Sequence, residues 1–117
     1  MSGRNMLSLA PPYEVEDVLK RLGGNLRTAR LRRNLTIEEV AGRIGTGPRA
    51  VMNAERGMPT ARMATYGALL WVYGLLSGMD GVADPEKDTH GIRLERMHGR
   101  VRARHRNGGR DRLDNDF

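Results

Sequence analysis

The segment from Tyr13 to Ala83 predicts an all-α fold, on three observations. Apolar residues recur at three- and four-residue spacing. Threonine caps and glycine stops punctuate the segment at helix-length intervals. The β-branched alternation and Asn-Gly turns that mark strands are absent from it.

The elements follow in order. Val15, Val18/Leu19, Leu22, Leu26 and Ala29 line one face of an amphipathic helix ending near Arg33-Asn34, and Gly23-Gly24 weaken it toward two pieces. Thr36 reads as an N-cap with Glu39 three residues on, a capping box opening a second helix through Val40, Ala41 and Arg43. Gly45 supplies the stop. Pro48 suits the first turn of a third helix, which turns Val51 and Ala54 inward and ends at Gly57. Thr60 is expected to cap a fourth helix holding Met63, Tyr66, Leu69/Leu70 and Tyr73, closed by Gly74. Leu75, Leu76, Met79 and Val82 make a short fifth that Asp84-Pro85 ends, with Met63 and Met79 in the core.

Three regions result: an N-terminal arm over 1–12, a five-helix domain over 13–84, and a basic tail over 85–117. Pro11-Pro12 make the arm extended. Residues 89–117 carry eight Arg against four acids and are interrupted by Gly91, Gly99, Gly108 and Gly109. Such a stretch buries too little to offset its ordering entropy, so it reads as flexible, with a short strand or helix near Ile92–Val101 when a partner is present.

Composition narrows the function. The chain has 117 residues and a net charge of +6, with 38% hydrophobic and 4% aromatic residues, so its core must be small and aliphatic. A deep, walled catalytic pocket needs more apolar lining than that. The absence of cysteine excludes disulfides, zinc fingers, iron–sulfur clusters and thiol nucleophiles. The 18 Arg outnumber the two Lys, and the guanidinium fork suits phosphate and guanine. His90, His98 and His105 have no carboxylate cluster to complete a metal site, and Ser2, Ser8 and Ser77 have no nearby His. No phosphate-binding glycine loop is present. The expectation is a non-enzyme without cofactor or metal. No apolar run nears the roughly 18 residues that span a bilayer, and Met1–Pro12 lacks the apolar stretch of a secretory signal. A soluble cytoplasmic protein that binds a polyanion is therefore expected.

The pattern of residues 36–57 leads to the expectation of duplex DNA as the polyanion, over a helix-turn-helix used only for protein contact. Two short helices meet at a glycine-bearing joint, with the small Ala41 near the end of the first. Val40, Ile44 and Val51 pin the pair together and leave Gly47, Pro48, Arg49, Met52, Asn53 and Arg56 facing outward. Arg49 and Asn53 stand four apart on one face, and their side chains read guanine and adenine edges. Thr36, Arg43, Gly47, Pro48 and Arg56 are the expected backbone contacts, several through main-chain N–H, and Met52 is placed to touch a thymine methyl.

Leu22-Gly23-x-x-Leu26-Arg27-x-x-Arg30-x-x-Arg33, Leu35-Thr36-x-Glu38-Glu39-Val40-Ala41, Gly45 and Ala54-Glu55-Arg56-Gly57 together resemble the lambda-repressor-like (Xre/Cro) helix-turn-helix regulators. Thr65-Tyr66, Leu70-Trp71, Gly74-Leu75-Leu76 and Ala83-Asp84-Pro85 resemble the HipB-type antitoxins, often encoded beside HipA-like kinase toxins. The resemblance spans about residues 20–88. It implies that Pro48 to Glu55 lie in the major groove, that the N-termini of the second and third helices face phosphates, and that Glu55 pairs with Arg30 or Arg27. Two positions depart from the family: Ile37 stands where a Gln usually reaches the DNA, and Gly47 replaces the usual Ser or Thr cap. Fewer hydrogen-bonding side chains then read sequence.

Trp71 and Tyr73 lie in an apolar stretch too rich for one face of a solitary domain, so Tyr66, Leu70, Trp71 and Tyr73 are the expected homodimer contacts. The resulting function is a dimeric repressor reading the major groove. The alternative is an antitoxin that holds a HipA-like kinase, with DNA autoregulation secondary.

Overall fold

The computed structural model describes residues 5–105, and side chains over residues 5–99. The described residues hold seven α-helices, one 3-10 turn and no strand. The chain divides into two compact units, Met1–Asp80 and Gly81–Phe117.

The first unit opens with a difference from expectation. Asn5 caps a single helical turn, α1 (Met6–Leu9), through its side chain on the Leu7 N–H at 3.0 Å, where an extended arm was expected. Pro11-Pro12 do break this turn, and α2 (Tyr13–Arg32) starts directly after Pro12. α2 runs unbroken for 20 residues through Gly23-Gly24. The reason is tertiary. Gly23 is buried at the crossing with α4 (Pro48–Glu55), where a Cβ would lie 2.5 Å from the Glu55 carbonyl oxygen and 2.6 Å from that of Ala54. Gly57, in the left-handed region at φ 68°, closes on the Leu19 carbonyl from the other side. These two glycines let the backbones touch, so the packing regained at the crossing outweighs the local propensity loss.

α2 ends as expected: Asn34 adopts φ 55°, and the Leu35 N–H returns to the Arg30 carbonyl at 3.2 Å. The expected capping box opens α3 (Ile37–Ile44), and Gly45 closes it at φ 77°. Pro48 occupies the first turn of α4. α5 (Met63–Val72) begins after Arg62 rather than after Thr60, and no side chain caps it. Thr60 instead belongs to a turn in which the Ala61 N–H donates to the Met58 carbonyl. One helical turn, α6 (Ser77–Asp80), stands for the expected fifth helix; Leu75, Leu76 and Val82 are exposed and Met79 is half-buried.

The core joins α2 to α5. Leu26, Val40, Val51 and Leu69 are fully enclosed, with Ala29, Ala41, Ala54, Tyr66 and Tyr73 around them. Each of the four aliphatic side chains contributes on the order of 1.5–3 kcal/mol by leaving water. Val15 and Val18 remain exposed, because the first two turns of α2 extend past this core. Met63 is 70% exposed and lies outside it.

Two tyrosines close the bundle. The Tyr66 hydroxyl donates to the Met58 carbonyl at 3.4 Å. Tyr73 is held by Arg33, whose guanidinium sits 5.5 Å from the ring centroid and donates to the Tyr73 and Ala29 carbonyls, each at 2.9 Å. Burial pushes both phenols above their ordinary pKa. The Tyr73 hydroxyl is enclosed without a hydrogen-bond partner among the described residues. Such a group carries an unreturned desolvation penalty, so Tyr73→Phe is expected to leave thermal stability unchanged or raise it by about 1 kcal/mol. A loss beyond about 1 kcal/mol in a melting experiment contradicts this reading.

In the second unit, Asp84 caps a 3-10 turn over Pro85–Lys87, and α7 (Thr89–His105) follows. The Asp88 carboxylate accepts from the Gly91 N–H at 3.0 Å, satisfying the first turn of α7. Residues 89–105 form a 17-residue helix, longer than the short strand or helix expected near Ile92–Val101. The Asp88 cap and the arginine-rich helix formers outweigh the glycines over this stretch. Residues 106–117 lie outside the described part.

Candidate nucleic-acid interface

The unit built by α3, its turn and α4 presents one face outward. Val40 and Ala41 of α3 pack on Val51 and Ala54 of α4, and these four are buried. Positions 49, 52, 53 and 56 follow at the spacing of one helical stripe on the opposite side of α4. Arg49 and Arg56 are exposed there, and Met52 and Asn53 are half-buried. Gly47 and Pro48 are exposed at the start of the helix. Arg43 is exposed in the last turn of α3.

The helix starts differ in their chemistry. At α3 the Thr36 hydroxyl accepts from the Glu39 N–H at 3.0 Å, and the Glu39 carboxylate accepts from the Thr36 N–H at 2.8 Å. Hydrogen bonding to the Thr36 N–H, and then to the Thr36 side chain, holds the Glu39 carboxyl below its usual pKa, with a smaller pull from the charge of Arg43. At α4, Gly47 supplies no side-chain cap. Pro48 has no N–H, so Arg49 carries the first donor at the positive end of the helix dipole.

What fixes α4 in this pose is a buried ion pair. Arg30 donates through Nε to one Glu55 oxygen at 2.7 Å and through Nη2 to the other at 3.1 Å. Its remaining nitrogen, Nη1, donates to the Leu35 carbonyl at 2.9 Å. One side chain therefore ties α2, the approach to α3 and the end of α4 together. Both charged side chains are less than a tenth exposed. Hydrogen bonding to Glu55 raises the Arg30 pKa against the opposing effect of burial. Of the two arginines expected to pair with Glu55, Arg27 is exposed and Arg30 makes the bond.

A groove not anticipated from the sequence borders the stripe. It measures about 570 Å³ and runs from Thr46 and Asn53 to Thr60, Arg62 and Thr65 at the start of α5. Three hydroxyls and a guanidinium thus stand beside Asn53. The sequence signal was present in Thr60 and Arg62, but Thr60 satisfied a capping pattern and was absorbed by it.

The four expected dimer residues do not share one surface. Tyr66 and Tyr73 are 4% and 3% exposed, inside the domain's own core. Leu70 is half-buried against that core. Trp71 alone is open, at 62%, with Leu75 and Leu76 exposed nearby in the chain. α5 is apolar nearly all round, so its sequence gave no inward face to choose.

Among the described residues, no helix is long and apolar enough to cross a membrane. Comparison with curated proteins and with solved structures finds no match. The family model for a helix-turn-helix domain matches residues 21–79, which takes in α3, α4, their joint and the Arg30–Glu55 clamp. On that match, covering half of the sequence, the chain belongs to the helix-turn-helix domain family.

Proposed function

We propose that this protein is a sequence-specific transcriptional regulator of the Xre/Cro type, a cytoplasmic, nucleoid-bound repressor that acts as a homodimer by occupying its operator. The observation that carries the reading is the outward stripe of α4, clamped from behind by Arg30 and Glu55. Arg49 forks onto guanine and Asn53 pairs with adenine, while Met52 meets a thymine methyl. Thr36, Arg43, Gly47 and Arg56 hold the phosphates, and Pro48, which has no N–H, packs against them at the open start of α4, where the Arg49 N–H is the first helical donor. No catalytic step, metal or cofactor is needed. In the dimer, two copies of α4 stand about 34–36 Å apart, one turn of B-DNA.

The exposed Trp71, Leu75 and Leu76 favour a protein partner as well. A second copy is the partner proposed. The second reading, suggested by the HipB-like residues, is an antitoxin that covers this surface with a kinase toxin. Co-purification from the native host separates them, because only the second predicts that a larger chain comes down with the protein.

Selection of bound duplexes from a random pool at two salt concentrations tests the main reading. A consensus with dyad symmetry is the expected outcome. Arg49→Ala should weaken binding by about 1–3 kcal/mol and flatten preference at one guanine. Enrichment of no sequence, with a steep salt dependence, would replace specific regulation by general polyanion binding.

A further inference from the structure

α7 lies outside the helix-turn-helix match and has no role in the α4 reading. Its 17 residues include five arginines, at 93, 96, 100, 102 and 104. At 100° per residue, positions 93, 96, 100 and 104 fall within about 80° of arc, and 102 falls elsewhere. The four are separated by three, four and four residues, so they form a straight row about 16 Å long. Glu95 lies about 100° or more from every member of the row. Arg93 and Arg96 are exposed, and neither pairs with a carboxylate among the described residues. Beside them Thr89 and Ile92 complete a shallow concavity of about 380 Å³.

Such a row opposes its own helix. Each like-charged pair at three- or four-residue spacing disfavours the helix by a few tenths of a kcal/mol. A regular file of anions relieves that repulsion, and the row has its shape: evenly spaced positive charge along a line. Two apolar side chains flank the row, Ile92, half-buried, and Met97, exposed, and four guanidiniums outnumber them, a balance that favours phosphates over a protein interface.

We propose that the Arg93–Arg96–Arg100–Arg104 face of α7 is a second DNA contact, which grips the phosphates of one duplex strand without reading sequence. It adds affinity to whatever α4 provides, through a tethered module that raises the local concentration of duplex. The contact does not depend on α4 reading bases.

The test is the salt dependence of binding to duplex DNA of scrambled sequence, using the full chain. Replacing all four arginines with Gln keeps good helix formers in place. The slope of log affinity against log salt is expected to shrink by about 3–4, since each phosphate neutralised contributes about 0.9. Between 50 and 200 mM salt, the parent should then lose roughly 100-fold more affinity than the variant. The matching fourfold Lys variant should keep the parent slope, which a purely structural role would not predict. An unchanged slope in the Gln variant overturns the proposal, and so does an equal loss in the Gln and Lys variants. A loss confined to single-stranded RNA overturns it too. Arg49→Ala should alter base preference and leave most of this slope intact. If base preference proves absent, the α4 reading fails while the Gln-versus-Lys comparison still decides the role of α7.

Discussion

Arg30→Ala is expected to destabilise the domain by about 3–5 kcal/mol, because it leaves the Glu55 carboxylate buried without its partner. Domains of this size have only about 5–15 kcal/mol in total, so the midpoint of urea unfolding should fall steeply. Glu55→Ala should act alike, stranding a guanidinium that retains only the Leu35 carbonyl. Replacing both charges together, Arg30→Met with Glu55→Leu, should be milder than either single change, since no lone charge is then left inside. Two single variants within about 1 kcal/mol of the parent would show that the pair is solvated rather than enclosed.

The second large effect concerns adjacent glycines with opposite outcomes. Gly23→Ala places a methyl 2.5 Å from the Glu55 carbonyl oxygen and 2.7 Å from the Gly57 nitrogen, both backbone atoms. α2 and α4 must separate to admit it, at a cost of about 2–3 kcal/mol. Gly24 meets nothing within 4 Å, so Gly24→Ala should stabilise α2 by about 0.5–1 kcal/mol. Chemical denaturation of the two variants reads the difference directly. Equal effects at both positions would contradict the close crossing. Because the displaced element is α4 itself, Gly23→Ala should also weaken DNA binding, whereas Gly24→Ala should not.

Local chemistry made much of this fold legible in the sequence. Thr36 with Glu39, Gly45 and Pro48 each specify a backbone conformation on their own, and the structure places each where that chemistry requires. The family resemblance, rather than local chemistry, implied a partner for Glu55 in Arg30 or Arg27, and the bond is made by Arg30. The outward stripe of α4 was legible because Val51 and Ala54 define its inner side.

Two of the differences depend on what lies across from a residue. Gly23-Gly24 read as a weak point because the α4 backbone behind Gly23 is invisible to a local pattern. Tyr66 and Tyr73 looked surplus, yet Tyr66 reaches the Met58 carbonyl and Tyr73 underlies Arg33, both distant partners. Thr60 fits a cap by type, but the Met58–Ala61 turn takes its place and α5 begins later.

Dimethyl sulfate footprinting on the selected duplex tests most directly whether α4 enters the major groove, as proposed. The reagent attacks guanine at N7 in the major groove and adenine at N3 in the minor groove. Guanine protection within each half-site is the predicted result, with adenines still reactive and one guanine regaining reactivity in Arg49→Ala. Protection of adenines alone, or a guanine pattern identical in the parent and Arg49→Ala, would contradict it.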